Sequence, residues 1–238
     1  MEIGIKTDDR LMSAVSFVRD GAVVADIGTD HGYIPIYLIK NGISPFAYAS
    51  DVNVMPLEKA KSNARIYGVE DKISFHLSSG LRFVDSGEYD GQHPIDDIVI
   101  CGMGGELIAG IIGESGYAAQ KGVRLILQPM TMADKLRSFL AENGFNVTDE
   151  KLCTAAGKIY TVICAEYDGE RRTLTEEEKI LGRHNIMRGG DLFRKYACDA
   201  LGKLKKKIDG LSTGGYSTEA EQKLYRDIEE IIQRSKTK

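Results

Sequence analysis

Between Val23 and Tyr167 the chain alternates short β-branched apolar runs with stretches whose apolar residues recur every three or four positions. A repeat of two marks strands and one near 3.6 marks helices, so the alternation predicts a parallel sheet covered by helices on both faces. Strands are expected at 23–27, 46–50, 73–77, 97–101, 123–128, 146–152 and 159–165. Leu57, Ala60, Ala64 and Tyr67 share one helical face, with Pro56 in a first turn that tolerates a missing N–H and Gly68 ending the run. Further helices are expected after Gly104-Gly105 and over 133–142, running to Gly144. Residues 8–18 place Leu11, Val15 and Val18 on one side and predict a helix packed on the sheet, to which no chemistry is assigned. The last two strands follow each other directly, which predicts a closing hairpin turning at 154–157.

After Tyr167 the pattern changes abruptly to charged helical sequence. This sets a boundary between a sheet domain, 1–167, and a helical extension, 168–238. Two amphipathic helices are expected there, one carrying Phe193, Ala197, Ala200, Leu204, Ile208 and Leu211, the other Ala220, Leu224, Ile228 and Ile231. The polar connection 212–215 would fold them into an antiparallel hairpin.

Composition narrows the picture. Apolar residues make up 42% of the 238 positions and charged residues 28%, a soluble globular balance without a membrane-spanning run. The N-terminal residues show no secretion signal, so a cytoplasmic protein is expected. The four cysteines are widely spaced and no His/Cys cluster accompanies them, which predicts neither a disulfide framework nor a metal site. A net charge of −4 hides an asymmetry: residues 171–207 hold 11 basic and 5 acidic side chains, net +6, leaving −10 elsewhere.

The chemistry is concentrated where strands end. The run from Val23 to Tyr33 is an apolar strand leading into a turn with Gly28 and Gly32, then a helix. Two glycines separated by three residues do not make the dinucleotide GxGxxG spacing, and Asp30 stands where its middle glycine would be. The pattern resembles the first motif of class I methyltransferases, acidic-x-Gly-x-x-x-Gly, with the Asp26 carboxylate suited to a cofactor bearing an ammonium group. Asp51 ends the second strand, where an acid can accept from both ribose hydroxyls; its other reading is an N-cap for the helix that follows. Ser79, Gly80 and Leu81 fall where such a fold meets the adenine ring. In Cys101-Gly102-Met103-Gly104-Gly105 the glycines would let backbone approach the methyl group in transfer, although a flexible turn with Met103 in the core has the same composition. No Asn- or Asp-Pro-Pro-aromatic sequence, of the kind that grips an exocyclic adenine amine, is present.

Taken together, the stretches 26–38, 50–57 and 102–105 and the pair Gln128-Pro129 resemble the bacterial tRNA adenine-22 N1-methyltransferase family over nearly the whole chain. The resemblance implies a Rossmann-like seven-stranded class I methyltransferase fold with a C-terminal helical hairpin, S-adenosylmethionine as donor and tRNA as acceptor. It implies cofactor contacts from Asp26, Gly28, Thr29, Gly32, Asp51, Val52, Asn53, Ser79, Gly80, Leu81, Cys101, Gly102 and Met103, and substrate contacts from Tyr33, Gln128 and Pro129. Met55 and Gly32 depart from the residues usual in that family, glycine and alanine respectively.

An adenine ring nitrogen attacks with an in-plane lone pair and loses no proton, so no general base is needed; alignment and stabilisation of the developing charge matter more. Asp30 is the candidate for that electrostatic role, unless it caps the next helix, and His31 for orienting the cofactor or the turn. Arg183, Arg188, Arg194, Lys195, Lys203, Lys205 and Lys206 are candidate phosphate contacts, the alternative being a solvated helix face. Neither a metal nor a membrane is expected as partner, and a monomer is the simplest state. A methyltransferase for a small molecule or protein, and a non-catalytic RNA-binding module of the same fold, remain open at this point.

Overall fold

A computed structural model describes residues 8–86 and 91–235. A first helix, α1 (Asp9–Val15), begins at Asp8, whose carboxylate accepts from the Leu11 amide and so caps an otherwise orphaned N–H. Then come β1 (Val24–Ile27), α2 (Tyr33–Lys40), β2 (Ala47–Asp51), α3 (Val54–Tyr67), β3 (Ile73–Leu77) and a one-turn α4 (Arg82–Asp85). The domain continues with β4 (Asp97–Gly104), α5 (Gly105–Gly113), β5 (Arg124–Thr131), α6 (Ala133–Glu142), β6 (Phe145–Ala155) and β7 (Lys158–Tyr167). Gly68 takes a left-handed conformation at the end of α3, as a C-capping glycine does.

The seven strands lie in the order β3-β2-β1-β4-β5-β7-β6, parallel except where β7 pairs with β5 and β6. Alternation divides each strand between two cores. Ile98, Ile100, Leu125 and Leu127 join α5 and α6 residues such as Ile108, Ile112, Leu136 and Leu140 on one face. Val24, Val99, Ile126 and Val162 pack with Val15 of α1 and Ile34 and Leu38 of α2 on the other. The closing turn is tighter than expected: Ala155 pairs with Lys158, and only Ala156 and Gly157, both at positive φ, lie between. That is the two-residue geometry matching strand twist.

The extension holds the two expected helices, preceded by two short ones. It contains four among the described residues: α7 (Glu176–Leu181), α8 (Arg183–Arg188), α9 (Gly190–Thr213) and α10 (Glu219–Arg234). Thr175 and Glu178 form a reciprocal capping box that starts α7. Ser212 and Thr213, expected in the connection, belong to the last turn of α9. Leu181, Phe193, Ala197, Leu204, Ile228 and Ile232 form its core, with Leu152 of β6 packed against them.

The two parts meet over a buried ion pair. Arg137 on α6 and Glu150 on β6 are 2% and 1% exposed, with Nε donating to Oε1 at 2.6 Å. The guanidinium also donates to the carbonyls of Lys179 and Ile180 in the last turn of α7, at 2.9 and 3.0 Å. Arg137→Met leaves Glu150 buried without its cation and should cost about 3–5 kcal/mol of stability, while adding Glu150→Leu should recover a large part of the loss. Urea denaturation of the two variants checks this; an Arg137→Met midpoint equal to the parent's would refute it.

Candidate functional site

The strand order reverses direction at β1, between β2 and β4, and a cleft of about 850 Å³ opens beside the carboxyl ends of these strands. Open α/β sheets bind ligands at this place because the connections on either side of the switch point diverge. Asp26, Gly28, Asp30, His31, Tyr33, Asp51, Val52, Asn53, Ser79, Gly80, Cys101, Gly102 and Met103 all line it.

The turn after β1 is fixed by main-chain bonds. The amides of Gly28 and Thr29 both donate to Ser50 O, at 2.8 and 2.9 Å, tying the turn to β2. Gly28 has φ +76°, a backbone conformation that L side chains rarely adopt, and a Cβ there would also displace the flexible end of Met103, whose Cε would stand 2.1 Å away. His31 is held at φ +66°, its carbonyl accepting from Asn63 of α3 and its ring stacked on Tyr33 at 5.3 Å. Asp30 lies 3.2 Å from His31 Nε2 with 74% of its side chain exposed. It does not cap α2, whose N-terminus has no side-chain cap.

Asp26 is 5% exposed, and burial pushes its carboxyl from 3.8 up to about 7, the nearby Asp51 adding to the rise and Thr29 opposing it. The Thr29 hydroxyl is itself buried without a well-formed hydrogen bond. A buried acid with no cationic partner among the described residues, next to a hydroxyl without a partner there, fits a ligand that brings an ammonium group, as S-adenosylmethionine does. Asp51 is 9% exposed, and its Oδ1 accepts from the Asn53 amide at 2.7 Å. The acid thus shapes the entry to α3 and still borders the cleft, so the two readings of Asp51 are compatible. Burial, with Asp26 adding to it, raises the Cys101 thiol far above its usual range and keeps it protonated.

Several expected contacts lie elsewhere. Leu81 is 2% exposed in the main core, and Gly32 accommodates helix packing, a Cβ there falling 3.1 Å from that of Ala60. Gly105 serves a close backbone approach, since its Cβ would lie 2.1 Å from Met132 O. Gln128 is fully buried and spent on internal bonds: Oε1 accepts from Arg10 Nη1 at 2.7 Å and from the Gly102 amide at 3.2 Å, while Nε2 donates to Pro129 O. Pro129 borders not this cleft but a neighbouring groove of about 570 Å³ between the sheet and α9, with Met130 shared by both.

Of the basic candidates, Arg188 donates to Glu150 O and Asp149, Arg194 to Asp191 and Ser235 O, and Arg183 pairs with Glu178. Lys195, Lys203, Lys205 and Lys206 are exposed. Sequence reasoning missed, among others, Asp8, Arg10, Leu107, Ile111 and Met130, which also line the cleft. For Asp8 and Arg10 the available signal was a charged pair at a helix start, indistinguishable in sequence from a cap and its neighbour.

Known proteins agree with this geometry. The family described as a methyltransferase domain matches residues 7–163. The tRNA (adenine(22)-N(1))-methyltransferase of Bacillus subtilis is 36% identical over 173 residues, covering 69% of this chain and 70% of that protein. The crystal structure of the B. subtilis M1A22 tRNA methyltransferase superposes with a TM-score of 0.79 at 28% identity, covering 98% of this chain and 99% of that one. That of M. capricolum TrmK with S-adenosyl-homocysteine gives 0.74 at 25% identity, covering 97% and 96%.

The raised pKa of Asp26 makes cofactor binding pH-dependent. In the ligand-free protein its contribution to stability is complete at low pH and declines as pH rises toward and through about 7, because the charged form is the one that burial penalises. An ammonium partner favours the charged form. Affinity for S-adenosylmethionine should therefore rise through about pH 7 and fall above about 8, where an α-amino group loses its proton. Asp26→Asn should bind about ten- to a hundredfold more weakly and lose the rising limb. Calorimetric titration across this range checks both; a flat profile for the parent would take the ammonium away from Asp26. The switch-point cleft, the acids at its strand ends and the similarity extending through the helical extension lead to one assignment: this chain belongs to the tRNA (adenine(22)-N(1))-methyltransferase family of S-adenosylmethionine-dependent enzymes.

Proposed function

We propose that the protein transfers the methyl group of S-adenosylmethionine to N1 of an adenine in tRNA, adenine 22 by analogy with the B. subtilis relative, and does so in the cytoplasm. The observation that carries this reading is the cleft itself. It offers a buried acid for an ammonium group at Asp26 and a second acid for ribose hydroxyls at Asp51, and it is open at Gly102. S-adenosylmethionine supplies an electrophilic methyl group.

The rest is positioning. Leu107 and Met130, 58% and 40% exposed, give the open side an apolar border suited to the faces of a base taken out of its stack. A ring nitrogen loses no proton on attack, which agrees with a cleft whose histidine is engaged with Asp30 and Tyr33. Lys203 borders the groove that continues from the cleft at Met130, and with Lys195, Lys205 and Lys206 it supplies cations for phosphates. Arg183, Arg188 and Arg194 also face acidic side chains, Glu178, Asp149 and Asp191 respectively.

Two measurements test this reading. Incubation with unmodified tRNA, followed by digestion and mass spectrometry under conditions that avoid alkaline rearrangement, should yield 1-methyladenosine. N6-methyladenosine formed directly, or a methylated guanine or pyrimidine, would overturn it. Replacing Lys203, Lys205 and Lys206 together by Ala should weaken tRNA binding and flatten its dependence on salt by up to about three ionic contacts, with cofactor affinity unchanged. An unaltered salt slope would remove the α9 lysines from the RNA surface.

A further inference from the structure

Four carboxylates line the cleft, and the cofactor accounts for two of them, Asp26 and Asp51. Of the remaining two, Asp30 is largely solvent-exposed and turned to the His31 ring, where water screens its charge. Asp8 is held differently. Its Oδ1 caps α1 by accepting from the Leu11 amide at 2.9 Å, and its Oδ2 faces Arg10 Nη2 at 3.4 Å. Arg10 is anchored in turn, with Nη1 2.7 Å from Gln128 Oε1, the same oxygen that accepts from the Gly102 amide. The start of α1 and the Gly102 turn therefore form one hydrogen-bonded unit. With 45% of its side chain exposed, Asp8 keeps lone pairs available to a ligand.

We propose, building on the function above, that Asp8 accepts a hydrogen bond from the exocyclic amine of the target adenine and that Arg10 is the positioning residue that holds it there. As the N1 lone pair bonds to the methyl carbon, the pair of the carbon–sulfur bond stays on sulfur and one positive charge passes to the purine. That charge is shared between N1 and the exocyclic amine, whose N–H groups become stronger donors. A carboxylate fixed in front of the amine therefore binds the transition state more tightly than the ground state, and this difference accelerates the step. The same acceptor would repel the carbonyl oxygen that guanine carries at this place, giving a physical basis for choosing adenine.

Asn retains the capping ability of Asp, so Asp8→Asn separates charge from fold. Turnover of Asp8→Asn on tRNA should fall about tenfold to a hundredfold, with the dissociation constants of cofactor and tRNA within about twofold of the parent's. Direct contact is read from a cycle in which the target adenine of a ligated tRNA is replaced by purine, which lacks the amine. Purine should slow the parent severalfold more than it slows Asp8→Asn. Equal slowing of both enzymes, or an Asp8→Asn turnover within twofold of the parent's, would overturn the proposal. A parent enzyme that forms no 1-methyladenosine would end the functional reading and this one together, whereas the two preceding results end this one alone.

Discussion

A guanidinium without access to water holds the molecule together. Arg137 leaves its hydration shell to face Glu150, and only the carbonyls of Lys179 and Ile180 complete its donor set on the α7 side. Two of these partners belong to the extension, so the charge is fully solvated by protein only when the extension is docked. Exchanging water for an ion pair yields little net stability, but leaving either member alone is heavily penalised. The arrangement therefore excludes alternatives to the docked state more than it deepens that state. The position of the α9 lysines beside the groove, and the course of that groove past Met130 into the cleft, depend on this docking.

Within the cleft the same physics acts in the opposite sense. Asp26 lies inside the sheet with no cationic partner among the described residues, and burial raises its carboxyl to about 7. A site prepared for a positively charged ligand costs stability until the ligand arrives, which is the usual relation between function and folding at such positions. Asp51 instead accepts from the Asn53 amide and shapes the entry to α3. Gln128 illustrates a third solution: every bond it makes is internal, and its contribution to the site is to join Arg10 to the Gly102 turn.

The sheet and its helices were legible because strands buried on both faces read as continuous apolar runs, and Gly68 and Pro56 mark helix ends in ways the backbone requires. The cofactor-side acids were legible because they stand where strands end. Helices α7 and α8 were not, since six residues offer too few turns for periodicity to show; the capping box of Thr175 and Glu178 was the one local sign. Arg188 was read as part of a charge run although its partners, Asp149 and Glu150, sit more than 30 residues away in β6. Asp8 and Arg10 were hidden for the same reason: their meaning depends on Gln128, 118 residues beyond Arg10.

The junction between sheet and extension has a further property. Arg137 takes hold of α7 through main-chain oxygens, and Tyr196 donates its hydroxyl to one of them, the carbonyl of Ile180. Every amino acid carries such an oxygen, so the side chains at these positions can drift over generations while the attachment persists. Gly182 is the exception, because a Cβ there would intrude to 2.2 Å from the Glu150 carboxylate. An ancestral line could thus have remodelled the outer surface of its extension, as long as one arginine, one glutamate and one glycine were inherited unchanged.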